Sequence, residues 1–460
     1  MKKANDLGRD PIPTLVLKLT IPAMLAQLIN VLYSIIDRMF IGHIPVVGDI
    51  ALAGVGVCGP IVTFISSFAT LVGIGGSIMV AISMGRGEHD DARQILANSF
   101  LLLVVFSAVL TTVFLLTKQR MIYLFGGSDA TFVYADTYLT IYTLGTFFAV
   151  LALGLNYFIN CQGFSVNGML TVCIGAVTNI VLDAVFVLGL GWGVAGAAVA
   201  TVISQFLSCL YALLFLFGKR VPIRITFGGY NRRLIGKILT MGISPFIILS
   251  TDSLIIIAMN TVLQKFGGAQ GDLLISAATI IQSYFLLITG PLIGISGGVQ
   301  PLISFNFGAK QPERVRQTIR FALTQAIVFT GVMFVVSRLA ADSFVGFFIP
   351  GSPASGPAAW GIRVFTLAVV GLAFQYVLVD ALTALGKIKV ALYLSASRKI
   401  SFLVFTVLFA VLFSAQNAFY AEPAADLLGA VQSTVLFLLV FQPHMQRYMG
   451  PQPVDEDPDD

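Results

Sequence analysis

Four acidic residues lie inside long apolar stretches of this 460-residue sequence: Asp37, Asp183, Asp252 and Asp380. An ionisable side chain in such a stretch is costly to bury, so each of the four is a candidate functional residue. We expect no Lys or Arg mid-span to neutralise them. Two buried carboxylates close together cannot both stay ionised at low cost, so such a pair would bind either a proton or a hard cation such as Na⁺. The residues leave these two alternatives open.

Amide and hydroxyl side chains share helical faces with the first two acids. Asn30, Tyr33 and Asp37 follow one another at helical spacing, and Asn179 precedes Asp183 by about one turn. These stripes predict a polar pocket in the first half of the chain, unless each side chain only forms a hydrogen bond between helices. The predicted pocket contains Gln27, Asn30, Tyr33, Asp37, Asn156, Asn179, Asp183 and Thr201.

The second half of the chain does not repeat this polar pocket. Six spans after Asn179 and Asp183, the corresponding positions are Phe402 and Thr406. The two halves are therefore expected to do different jobs. The residues predicted to line a substrate cavity are Gln27 and Asn30 from the first half and Asp252, Gln282 and Asp380 from the second. A role in helix packing is the alternative for the two second-half acids.

The composition requires a membrane around these residues. Hydrophobic residues make up 57% of the chain and charged residues only 11%, against about 25% charged residues in soluble proteins. A stretch of about 20 apolar residues spans a bilayer as a helix. The sequence therefore predicts an all-α polytopic protein, and its twelve spans lie near 15–41, 50–83, 95–117, 131–160, 167–190, 194–217, 234–265, 272–307, 318–341, 358–385, 390–414 and 424–446.

An internal repeat organises these spans. The Gly-rich stretch from Leu71 to Gly87 runs parallel, at a constant offset, to the stretch from Leu292 to Gly308. Six spans separate the copies, so both have the same orientation, and a pseudo-two-fold axis along the membrane normal relates the halves. We predict two six-helix lobes around a central cleft. The expected units are residues 1–217, a cytoplasmic connector 218–233, residues 234–447 and an acidic disordered tail 448–460.

The basic residues predict the orientation. Most of the 27 Lys and Arg residues, with Arg398 and Lys399 counted among them, fall on the side of the N terminus. By the positive-inside tendency, both termini lie in the cytoplasm and the protein lies in the plasma membrane. This asymmetry accounts for the net charge of +5 without nucleic acid as a partner.

Two stretches resemble the MATE (multidrug and toxic compound extrusion) family, and within it the DinF-like branch. They run from Pro22 to Asp37 and from Thr178 through Asp183 to Thr201. The resemblance implies an alternating-access antiporter, expected to be a monomer. Such a protein exports small amphiphilic, cationic compounds in exchange for H⁺ or Na⁺, and it needs no other cofactor.

The resemblance also implies roles for particular residues. Those matching the family's coupling network are Tyr33, Asp37, Asn156, Asn179, Asp183 and Thr201, and Na⁺ would bind at Asp37, Asn179, Asp183 and Thr201. Pro22 matches a proline at which the first helix bends, and a proline inside a span frees a backbone carbonyl. Other branches of the family couple through acids on the seventh and tenth spans, where this chain has Asp252 and Asp380.

Three other functions fit the sequence less well. A flippase for lipid-linked oligosaccharides, the main alternative, would need Arg or Lys in its cavity to pair with phosphate. We expect acids there instead, in a cleft rich in Phe and Met, which favours cationic cargo. An enzyme would need a nucleophile or a His and metal set within the spans, and His43, His89 and His444 fall in predicted loops or at helix ends. The two-lobe repeat and the lack of a pore-lining ring argue against a channel.

Overall fold

The computed structural model describes residues 6–42, 44, 47–125, 128–219, 221–348 and 353–449. Most of the predicted tail, from residue 450 onward, lies outside these residues. The described chain forms α1 (Ile12–Gly42), α2 (Gly48–Arg86), α3 (His89–Leu124), α4 (Asp129–Leu144), α5 (Thr146–Cys161), α6 (Ser165–Asp183), α7 (Gly193–Phe217), α8 (Arg232–Gly267), α9 (Gly271–Gly308), α10 (Pro312–Phe348), α11 (Ser355–Phe365), α12 (Val369–Ala384), α13 (Ile388–Leu412) and α14 (Ala421–Met449). A π-helix, Ala184–Gly189, extends α6.

The prediction of an all-α protein with twelve spans is confirmed. Ten helices of the described chain are each long and apolar enough to cross a membrane, and two bent pairs bring the number to twelve. The pair α4 and α5 bends by 57° and the pair α11 and α12 by 52°, so 131–160 and 358–385 are broken rather than straight spans. At Gly145, between α4 and α5, a Cβ would lie 2.5 Å from the side chain of Val202, so the bend lets α7 approach closely.

Buried apolar side chains form two separate clusters, one for each half of the chain. The first combines residues 41–238, and the second combines residues 7–19 with residues 259–445. Helix α1 therefore begins in the second cluster, at Leu19, and ends in the first, at Ile41. Helix α8 does the reverse, because Ile238 belongs to the first cluster and Met259 to the second. Each half thus starts its first helix inside the other half.

Glycines allow these exchanged helices to pack backbone against backbone. A Cβ on Gly242 of α8 would lie 1.8 Å from the carbonyl oxygen of Leu71 on α2. A Cβ on Gly294 of α9 would lie 2.6 Å from the Cα of Met24 on α1. No side chain fits at either position, so both crossings require glycine. Pro22 and Pro245 lie inside α1 and α8, near these crossings.

A third crossing joins the two halves where α2 and α9 enter the connectors predicted to be cytoplasmic. A Cβ on Gly85 would lie 2.0 Å from the carbonyl oxygen of Phe305, and one on Gly308 would lie 2.2 Å from that of Ile82. The guanidinium of Arg314 donates hydrogen bonds to the chain before α1 at the same end. The halves are therefore in direct backbone contact at this end of the molecule.

Substituting Gly85 with Ala should open this contact. The added Cβ forces the α2 and α9 backbones apart by about 1 Å or more, because carbon and oxygen atoms repel steeply below van der Waals distance. We expect a longer electron-spin distance between labels at Asp91 and Glu313 in the Gly85→Ala protein than in the parent, both in a cysteine-free background. Gly236→Ala is the matched control, because a Cβ there meets nothing within 4 Å. Equal distances in Gly85→Ala and Gly236→Ala would contradict the direct backbone contact between α2 and α9 at Gly85.

Candidate functional site

A cavity of about 730 Å³ lies between the two halves of the described chain. Helices α1, α2 and α4–α7 form one wall, and α8, α9, α12 and α13 form the other. Seven of the predicted site residues lie on its walls, namely Gln27, Asn30, Tyr33, Asn156, Thr201, Asp252 and Asp380. Three others, Asp37, Asn179 and Asp183, are buried behind the first-half wall.

Gln282 was predicted to line the cavity, but it lies away from the cavity wall. It lies on α9, but this helix reaches the cavity only from Ile293 to Pro301. A helix rises about 1.5 Å per residue, so Gln282 is roughly 16 Å along the axis from Ile293. Its side chain is too short to cover that distance.

Asp37 and Asp183 meet behind Tyr33. Asp37 comes from α1, and Asp183 is the last residue of α6, which packs along α1. Their carboxyl groups face each other closely enough to interact electrostatically. Within the described chain no donor reaches Asp37 Oδ1 or either carboxyl oxygen of Asp183. Two ionised carboxylates repel each other, so this contact needs a shared proton or a cation between them.

Asn179 and Thr201 complete this group. The Asn179 side chain donates from Nδ2 to Thr201 Oγ1 at 3.3 Å, and that hydroxyl donates to the carbonyl of Ala197 at 3.0 Å. Asn179 Oδ1 is a further buried oxygen that no donor in the described residues reaches. Unpaired buried acceptors are costly, and oxygen-only ligands suit a hard cation. This group of oxygen ligands therefore suits Na⁺ as well as it suits a proton.

The π-helix begins directly after Asp183, at Ala184. Such segments occur often at functional sites, because the extra residue per turn changes the direction of side chains and of backbone groups. In this one the amide of Leu190 donates to the carbonyl of Val185 at 2.8 Å. The π-helix was not predicted, since the apolar sequence of this stretch also suits an α-helix.

Asn156 lies on the cavity wall, away from this oxygen group. Its Nδ2 donates to the carbonyl of Gly168 at 2.8 Å, and its Oδ1 accepts from Asn160 at 2.7 Å. These are the hydrogen bonds of its side chain within the described chain; the first joins α5 to α6, and the second lies within α5. The structure thus places Asn156 on the cavity side of the predicted coupling network.

Tyrosines provide the aromatic surface of the cavity. Tyr33, Tyr138, Tyr142, Tyr157 and Tyr376 line it. The expectation of a cleft rich in Phe and Met is wrong for the described wall, which contains no Phe and a single Met. The physical reason is that a tyrosine packs its ring against protein while its hydroxyl faces water, whereas Phe is better buried within a lobe. Aromatic faces also attract organic cations.

Asp252 has a basic partner, so the prediction of no neutralising Lys or Arg mid-span is wrong. Lys399 Nζ lies 2.7 Å from Asp252 Oδ1 and 3.0 Å from Thr251 Oγ1, and it also donates to the carbonyl of Ile248. Lys399 and its neighbour Arg398 lie near the middle of α13. They therefore do not belong to the cytoplasmic side, where the orientation prediction counted them. The Asp252 side chain remains 49% exposed to the cavity, whereas Lys399 is 14% exposed.

A second ion cluster, not predicted from the sequence, lies behind Arg398. Its guanidinium contacts Asp426 from two nitrogens, at 2.9 and 2.7 Å, and also Glu422. Both acids are buried. Two features of the sequence could have indicated this cluster. Arg398 falls inside the predicted span 390–414, and the two acids lie one helical turn apart at the start of the last span.

Asp380 differs from the other second-half acids because no Lys or Arg of the described chain pairs with it. Ser296 and Gln300 of α9 are instead the polar side chains that interact with its carboxyl group. Neutral donors leave the negative charge on the cavity wall uncompensated. Asp380 is therefore the cavity carboxylate best placed to attract a cation.

The sequence and the fold agree with known transporters. The MatE family model matches residues 22–185 and 249–412, once in each half. The multidrug export protein MepA of Staphylococcus saprophyticus is 22% identical over 365 residues, which are 78% of each chain. MepA of Staphylococcus haemolyticus is 24% identical over 337 residues, or 72% of each chain.

Solved structures share the fold. One described as the outward-facing conformation of a multidrug resistance MATE family transporter has a TM-score of 0.90 at 21% identity, covering 97% of this chain and all of that one. A transporter of the MOP superfamily from Pyrococcus furiosus, described by the reverse polarity of its binding pocket, has a TM-score of 0.89 at 21% identity, covering 96% and 99%. Because the family model matches most of the sequence, and does so once per half, the chain belongs to the MATE family.

Proposed function

We propose that this protein is a secondary active exporter that exchanges amphiphilic, cationic compounds for H⁺ or Na⁺ by alternating access. The observation that carries the proposal is the group of buried oxygens at Asp37, Asn179 and Asp183, which no donor of the described residues reaches and which adjoins a large cavity. The relatives named multidrug export proteins support the choice of cargo. The proposed setting is the plasma membrane, with both termini in the cytoplasm and the protein acting as a monomer.

The proposed coupling runs through α1. This helix begins in the second-half cluster, passes Pro22 and ends beside Asp183. An ion that binds at Asp37 therefore acts on a helix that contacts both halves, and Pro22 lets its two parts change their angle. Structures of similar fold are described as straight and bent conformations. For coupling, the ion has to favour the conformation that releases cargo, since equal affinity for both states shifts nothing.

The proposed cargo site spans the cavity, from Asp380 on the second-half wall to the tyrosines, most of which lie on the first-half wall. Asp380 supplies a carboxylate without a basic partner in the described chain, and the tyrosines supply aromatic faces. Gln27 and Asn30 add neutral hydrogen-bonding groups on the side of α1. An amphiphilic cation would place its charge at Asp380 and its apolar body across the tyrosines.

A flippase for an anionic lipid-linked sugar is the alternative, and Arg398 and Lys399 on the cavity wall are the observation in its favour. Both side chains are already paired with acids, which leaves them few donors for a phosphate. The proposed boundaries of the two lobes, at 217 and 234, and the DinF-like branch remain predictions.

Replacing Asp37 or Asp183 with Asn should abolish gradient-driven export. Either change removes one of the two carboxylates and with it the need for a shared proton or Na⁺. We expect efflux of a fluorescent cation from proteoliposomes to fall to the level of empty vesicles, under whichever of a pH or a Na⁺ gradient drives the parent. Asp90→Asn, at an exposed surface position, is the control. Undiminished efflux by Asp37→Asn would exclude this pair as the coupling site.

The second-half acids should differ in their effect on cargo binding. Asp380→Asn should raise the Kd for a permanently charged cation about tenfold, a loss of about 1.4 kcal/mol. Asp252→Asn leaves the buried Lys399 without its carboxylate and should lower stability by about 1–2 kcal/mol, less than for a fully buried pair because Asp252 is half exposed to the cavity. Lys399→Met in the same protein should restore it. Equilibrium binding and the thermal midpoint would measure these effects, and equal cation affinities in Asp380→Asn and the parent would refute the cargo site.

A further inference from the structure

The cluster behind Arg398 contains more negative charge than its cation can neutralise. One guanidinium faces two carboxylates, Glu422 and Asp426, within hydrogen-bonding distance of both. Their side chains are 8% and 0% exposed. A buried net charge is costly in a medium of low dielectric, so the cluster needs one further positive charge.

The described surroundings do not supply this charge. The charged and titratable groups facing the cluster are Tyr376 of α12, Asp252 of α8 and Lys399 of α13. Lys399 is paired with Asp252 at 2.7 Å, so the two contribute no net charge. Arg363, on the neighbouring α11, is instead paired with Asp342.

One oxygen of the cluster is unsatisfied. Asp426 Oδ2 is fully buried and accepts no hydrogen bond from the described residues, whereas Asp426 Oδ1 accepts two from Arg398. A purely structural ion cluster would be expected to satisfy this acceptor, because leaving it unpaired is costly. A proton on the carboxyl group removes the excess charge and turns this acceptor into a donor.

The position of Arg398 selects a proton over a metal ion. The guanidinium already occupies the place between the carboxylates where Na⁺ would sit, and it would repel a second cation there. In the first half, no Lys or Arg of the described residues forms an ion pair with Asp37 or Asp183. The two acidic groups therefore differ in the ions that they can accept.

We propose that Glu422 and Asp426, held by Arg398, form a second proton-binding site that is separate from the Asp37–Asp183 pair. The acids are one helical turn apart on α14, so both reach Arg398 and can share the proton. Arg398 lines the cavity, which connects the site to the cargo. Loss of the proton makes the wall behind Arg398 more negative and strengthens its attraction for a cationic cargo. Proton binding at this site and cargo binding in the cavity therefore oppose each other. The assignment of the proton site rests on the ion cluster, whereas its link to cargo rests on the proposed function.

Infrared difference spectroscopy of the full-length protein tests the site without cargo. In a protein that carries Asp37→Asn and Asp183→Asn, we expect a carboxylic-acid band that disappears as the pH is raised. Adding Asp426→Asn should remove this band, because Arg398 then faces one carboxylate. Adding Asp380→Asn, the matched control, should leave it. If the band is absent from the starting protein, or if it persists with Asp426→Asn, the second proton site does not exist.

Two further variants guard against a folding defect. Asp426→Glu keeps both acids and should retain the band, and Glu422→Gln should remove it as Asp426→Asn does. In a protein with an intact first-half pair, proton release on binding a fluorescent cation should fall by one proton per molecule with Asp426→Asn. An unchanged proton count alongside normal binding overturns the link to cargo, whereas a parent that binds no cation overturns the proposed function.

Discussion

The low dielectric of the membrane interior governs this protein, because every buried charge in it must find an opposite one. In the part of the chain that the structure describes, six carboxylates lie on or behind the cavity walls, and Arg398 and Lys399 are the basic side chains that form ion pairs with them; the acids are Asp37, Asp183, Asp252, Asp380, Glu422 and Asp426. The missing positive charge has to come from protons, metal ions or cargo. A transporter that exchanges cations needs this deficit. If the protein's own basic side chains neutralised all of these carboxylates, no attraction would remain to bind a further cation.

The two halves distribute the deficit differently. In the first half, Asp37, Asn179 and Asp183 gather oxygens that no donor in the described ranges reaches, behind the cavity wall. In the second half, ion pairs are built into α13 and α14, and Asp380 carries the free carboxylate at the wall. One duplicated scaffold therefore holds a site suited to small ions and a site suited to larger cations. The backbone crossings are what the halves share, since those contacts depend on glycines rather than on charge.

Hydropathy and the repeat were sufficient to predict the spans, because both depend on residue type along one chain. The pairing of Asp37 with Asp183 could also be anticipated, since helical spacing puts each on a polar face. The partner of Asp252 was missed, because Lys399 was counted with the basic residues of the cytoplasmic side, although it lies inside the predicted span 390–414 and near the middle of α13. The position of Gln282 could not be predicted either. Its residue type suits a cavity wall, but whether it lines the cavity depends on how far the cavity extends along α9.

The exchange of α1 and α8 between the two clusters has a consequence for the origin of the protein. A six-helix ancestor with the same first helix would have left the start of that helix without a core of its own. Two copies would have had to exchange these segments, as in a domain-swapped dimer. Fusion of two such genes would turn a reciprocal dependence between subunits into a covalent one. Each half would then be free to change its charges, since neither would have to remain compatible with an identical partner.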